Sequence, residues 1–99
     1  MEQKKKVIKI TIIGRGLNVG YDHEYFLASI KPNDNGYMDA NFTSNMLFAM
    51  MFSESETDEM LGDIVAFVRA VIRNNIIAGR YEGRVSDYKI EVSTLKLTA

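Results

Sequence analysis

The chain contains no cysteine and a single histidine in 99 residues. Without thiols there can be no disulfide staple, thiolate zinc site, iron–sulfur cluster or cysteine nucleophile, and such usage is compatible with a reducing cytosol. Long apolar runs are lacking too. None approaches the roughly 18 residues that a membrane-spanning helix needs, so a soluble, cytoplasmic protein is the expectation. The first residues set a basic stretch, Lys4 to Lys6, before the apolar Val7 to Ile13. Lys9 and Thr11 interrupt that stretch with strand-like alternation and no small-residue cleavage site follows, so it does not read as a secretory signal. A basic surplus is also missing, since 12 Lys and Arg face 13 Asp and Glu for a net charge of −1. Interfaces that neutralise phosphates need a surplus or a segregated basic face; only segregation is open here.

What is present suits one hydrophobic core and no second one. The expectation is a single small globular domain over 1–99, with residues 1–5 as a disordered basic tail. Ile8, Ile10 and Ile12 alternate with Lys9 and Thr11, which predicts a first strand over Lys6 to Ile13. Gly14, Gly16 and Gly20 then mark a loop. A second strand, Glu24 to Lys31, places Phe26, Ala28 and Ile30 on one face and stops at Pro32. Asn33-Asp-Asn-Gly36 is turn chemistry, and a third strand carries Met38, Ala40 and Phe42 on one face. If Asp34, Asn35 and Gly36 form a three-residue loop with Gly36 left-handed, Asn33 faces Tyr37, Ile30 faces Ala40 and Ala28 faces Phe42.

The strongest helical pattern spans Glu56 to Ala78, with Leu61, Ile64, Val65, Val68, Val71 and Ile72 in one stripe. Ser55 with Asp58 resembles a capping box, Glu56, Asp58 and Glu59 load the positive end of the macrodipole, and Gly79 is the expected stop. A last strand runs from Val85 to Leu97. Its parity changes between Val92 and Leu95, which calls for a bulge near Ser93 and Thr94 or for a strand end covered on both faces. The fold class that follows is α+β: an antiparallel sheet of about four strands, order β-β-β-α-β, with one long helix on one face and a short extra helix near 44–52.

Signals for chemistry are weak. Gly14-Arg-Gly-Leu-Asn-Val-Gly20 follows a strand, as a phosphate-cradling loop does, but the next segment reads as a strand and offers no helix N-terminus. His23 lies between Asp22 and Glu24, which alternate to the opposite face from it, so no dyad forms within this stretch and one histidine cannot furnish a typical zinc site. Serine elbows are absent, and the carboxylates between Glu54 and Glu59 are accounted for by the helix start. The chain therefore reads as no enzyme, with no metal and no cofactor. A nucleic-acid reading rests on Arg15, Tyr21, Arg80, Tyr81 and Arg84, where cations interleave with rings that can stack on bases.

The sharpest feature is Met46-Leu-Phe-Ala-Met-Met-Phe52, apolar at every position and followed by an acidic segment. It is either core beneath the helix or a central strand, or else a surface that a partner covers. Methionine suits adaptable contacts, and Met38, Met46, Met50, Met51 and Met60 fall close together. Tyr25, Tyr37 and Lys31 are expected on the sheet face away from the helix. Together these residues point to a non-catalytic protein-interaction module, of the kind found among inhibitors and accessory proteins of phages and mobile elements. It would act on a protein partner or on itself as a homo-oligomer, with no membrane partner, through Met46, Leu47, Phe48, Met50, Met51, Phe52, Tyr25 and Tyr37. The alternatives are a single-stranded nucleic-acid-binding domain and a small-molecule or nucleotide binder at the Gly14–Gly20 loop.

Overall fold

Alternating β-branched residues build the first strand, and the rest of the sheet grows from its two edges. The elements follow in the order β1 (Glu2–Arg15), β2 (Gly20–Pro32), β3 (Met38–Thr43), a 3-10 turn (Met46–Phe48), β4 (Phe52–Ser53), α1 (Asp58–Ile77) and β5 (Arg84–Thr98). The computed structural model describes residues 2–15, 20–79 and 84–98, with backbone alone at 2, 15, 20, 21, 84, 86, 97 and 98. This is the expected α+β class, an antiparallel sheet with one long helix, extended by the two-residue strand β4.

β5 occupies one edge of β1 from Glu2↔Thr98 to Arg15↔Arg84. The other edge is shared, because β2 pairs with Lys9 to Arg15 and β4 with Lys5 and Lys6. β3 extends the sheet outward from β2. The expected tail at 1–5 is thus strand from Glu2 onward, while Met1 lies outside the described residues. Its backbone groups find ladder partners in the last residues of β5, which offsets the entropy of ordering a polar segment.

Ile8, Ile10 and Ile12 are buried on the helix side, opposite Val92, Ile90 and Tyr88 of β5. Leu61, Val68 and Ile72 of α1 close over them, with Ile64, Val65 and Ile76 half-buried alongside; the spacing is that of one helical stripe, as expected. Thr57 caps the helix, its side chain accepting from the Met60 amide at 3.2 Å. The expected cap at Ser55 is displaced because Ser55 belongs to the preceding turn, where Ser53 Oγ accepts from its amide at 3.3 Å. Gly79 ends the helix with φ +69°.

Two parity expectations change. Register with β1 sets Tyr25 opposite Ile10, so Tyr25 and Leu27 face the helix, and Leu27 is fully buried. Phe26 faces the other way, opposite Lys9. Ala28 is the extra residue of a bulge, since Leu27 pairs with Phe42 and Ser29 with Asn41; the bulge returns Ile30, opposite Ala40, to the helix side. The second change is in β5. Its register runs unbroken past Ser93 and Thr94, and the irregularity falls instead between Ile13 and Gly14, where Ser86 is extra. Leu95 consequently faces away from the helix opposite Lys5, half-buried.

The β2–β3 turn follows its chemistry closely. Gly36 has φ +82°, and the Asn33 side chain accepts from the amides of Asn35 at 2.9 Å and Tyr37 at 3.0 Å. No helix among the described residues is long and apolar enough to cross a membrane. The dimensions, 46 × 36 × 22 Å, are those of a flat body. Its radius of gyration of 14.7 Å exceeds the roughly 13 Å of a compact chain of this length, because one helix covers only part of one sheet face.

These placements give a stability series in urea. Leu27→Ala is expected to cost about 2–5 kcal/mol, Thr57→Ala about 1 kcal/mol, and Ser55→Ala less than about 0.5 kcal/mol. Equal losses for Thr57→Ala and Ser55→Ala would contradict the cap assignment.

Candidate functional site

The apolar run is held by a short chain of side-chain and backbone hydrogen bonds. Thr43 Oγ1 accepts from the Asn45 amide at 3.1 Å, and the Asn45 side chain accepts from the Leu47 amide at 3.0 Å. Asn45 also supplies the carbonyl for Phe48 N–H at 3.0 Å, and Met46 that for Ala49 N–H at 3.2 Å. A single 3-10 turn results, with Asn45 as its cap. Beyond it, Met50 N–H donates to the Leu27 carbonyl at 2.7 Å, and Phe52 pairs with Lys6. β2 stops pairing with β1 at Phe26, so the run enters the sheet where those two strands part.

This path divides the seven residues. Ala49 and Phe52 are 8% and 7% exposed, and Met50 is half-buried against the core. Leu47 and Phe48 stand out at 75% and 70%, flanked by the exposed Met46 and Met51. The run is therefore neither core nor central strand as a whole. It is a ridge of Met46, Leu47, Phe48 and Met51, with Ala49, Met50 and Phe52 as its root. Ser44, Asn45, Glu54 and Ser55 are exposed around it.

The two tyrosines do not join the ridge. Tyr25 faces the helix-side core, half-buried, with its ring 6.3 Å from that of His23. Tyr37 is 72% exposed but lies at the other end of β3, whose six residues span roughly 20 Å. The face away from the helix carries Lys5, Lys9, Asp22, Glu24, Lys89 and Glu91 instead, with Lys9 and Glu24 paired at 3.1 Å. Mixed charge makes it a solvated surface. Val7 is nevertheless buried there, between the half-buried Lys5 and Lys9, whose stems can lie along the sheet.

The residues of the other two readings are separated or undescribed. Arg80 and Tyr81, and the loop residues 16–19, lie outside the described residues. The side chains of Arg15, Tyr21 and Arg84 do too, although their backbones occupy the strand ends. β2 begins at Gly20, so a strand and not a helix follows the glycine loop. Asp22 and Glu24 share one face, opposite Ile13 and Thr11, and His23 takes the other opposite Ile12. Among the described residues no group of three metal-ligating side chains comes together. Lys6 is tied into the fold: its Nζ donates to the Glu56 carbonyl at 2.6 Å and lies 3.9 Å from Asp58 at the helix start.

Met60, one of the clustered methionines, is exposed on α1, and so is Ile77, which the sequence reading does not single out. Both fall off the apolar stripe, which is the signal that could have marked them. No family model, curated protein or solved structure matches this chain.

Removing the exposed side chains should leave the fold intact. Leu47→Ser and Phe48→Ser are expected to shift unfolding free energy by less than about 0.5 kcal/mol, whereas Phe52→Ala should cost about 3–5 kcal/mol. Urea titrations of the three variants separate ridge from root.

Proposed function

We propose that this chain is a non-catalytic protein-interaction module that binds a partner protein through Met46, Leu47, Phe48 and Met51. The observation that carries this reading is a pair of large apolar side chains held out on a hydrogen-bonded turn whose root is buried. Exposed apolar clusters rimmed by polar residues mark interaction sites, and a pre-ordered ridge loses less entropy on binding than a flexible loop. Methionines at its ends adapt to the shape they meet.

The surroundings define the partner's chemistry. Glu54, Asp58 and Glu59 are exposed just beyond the ridge, so the matching surface is an apolar pocket with basic residues on one side. Binding of this kind acts by occupancy, as an inhibitor or accessory protein does, and needs no reacting group. The cysteine-free composition supports a cytoplasmic setting.

A tagged chain recovers its partner from cells that naturally express it, and calorimetry on the purified pair then measures the ridge. Leu47→Asp and Phe48→Asp are each expected to weaken binding at least about tenfold with an unchanged thermal transition. A partner that binds both folded variants as tightly as wild type would show that the ridge is not the interface.

A further inference from the structure

β5 has a free edge. β1 takes one side of it, and among the described residues no strand takes the other. It is 15 residues long without a proline and runs without irregularity from Asp87 onward, and long edges are templates for another strand. An open groove of about 600 Å³ runs beside it, lined by Arg69 of α1 and by Asp87 to Glu91. The Tyr88 amide donates to Asp87 Oδ1 at 2.8 Å, so it points away from β1. By the two-residue alternation of a strand, the backbone groups of Ile90 and Val92 point outward as well.

We propose that the occupant of this edge is β5 of a second copy of the chain, antiparallel and centred on Ile90. Charge pattern and strand regularity together select occupant and register. Centring on Tyr88 would also set Asp87 opposite Lys89, but it sets Ile90 and Glu91 against Ser86 and Val85 at the bulge. Asp87, Lys89 and Glu91 are exposed on the face away from the helix. Centring on Lys89 sets it against its own copy and Asp87 against Glu91; centring on Glu91 opposes two carboxylates. Centring on Ile90 sets each Lys89 opposite the partner's Glu91 and each Asp87 opposite the partner's Ser93. On the helix side the same register brings Ile90 to its own copy and Tyr88 to Val92, all apolar partners.

Ile90 and its copy then exchange both backbone bonds, and the Tyr88 amide passes from Asp87 to the partner's Val92 carbonyl. The two sheets become one, with both helices on the same face. The apolar ridge lies on the far side of β1 from β5, so a dimer formed this way presents two free ridges. This surface is separate from the ridge, and either reading can fail alone.

Charge reversal tests the register. Lys89→Glu and Glu91→Lys each replace two attractive cross-strand pairs by two repulsive ones, and sedimentation equilibrium should show dimerisation weakened about ten- to a hundredfold. The double variant K89E/E91K restores complementarity and should dimerise like wild type. Both side chains are exposed, and circular dichroism confirms that each variant is folded. In this cysteine-free chain Ile90→Cys should form an intermolecular disulfide under mild oxidation and Val92→Cys should not, because only position 90 meets itself. A wild type that is monomeric at every concentration overturns the proposal. So do single reversals that dimerise normally, a double reversal that stays monomeric, or cross-linking at position 92 in place of 90.

Discussion

The two edges of β1 set the architecture. β5 takes all of one edge, and the other is divided between β2 and β4 because β2 leaves at Phe26. That division fixes the side chains above it. Residues opposite the buried isoleucines must face the helix whatever their own pattern suggests, which is why Tyr25 and Leu27 turn inward and the Ala28 bulge is needed to restore Ile30. It also opens the gap that the run from Met50 to Ser53 fills.

The ridge is a by-product of filling that gap. Chain must travel from the end of β3 to the lower half of β1, and a 3-10 turn followed by an extended stretch makes the journey in eight residues, 44–51. Such a turn is too tight to bury all its side chains, and Leu47 and Phe48 are left outside. The helix cannot cover them, because its apolar stripe is spent on Ile8, Ile10 and Ile12. A solvated tip held on a buried root is the arrangement expected of a contact made by protruding apolar groups.

Elements were legible in the sequence where one local signal dominated. The isoleucine alternation of β1, the Asn33–Gly36 turn with its register as far as Ile30 and Ala40, the stripe of α1 and the stop at Gly79 each depend on residues within one or two turns of chain. Register across long separations was not legible. Nothing within Glu24 to Lys31 says that Leu27 and not Phe26 faces inward, because that is decided by β1, nor does β5 reveal that its bulge falls at Ser86 opposite Gly14. The run Met46–Phe52 was recognisable as unusual, yet its division into ridge and root depends on the Leu27 carbonyl and on Lys6, both distant in sequence. Tyr25 failed as a surface residue for the same reason.

The pairing of β1 with β5 joins residues up to 96 positions apart, Glu2 with Thr98, and this has a kinetic side. On a ribosome adding about 5–20 residues per second, β1 emerges several seconds before the strand that completes it. The β2–β3 turn can close at once, being local, while the isoleucine row waits for both helix and last strand. Contacts of such high sequence separation slow the search for the native state. Folding should therefore finish as one late event, with the isoleucine row of β1 exposed until β5 is made.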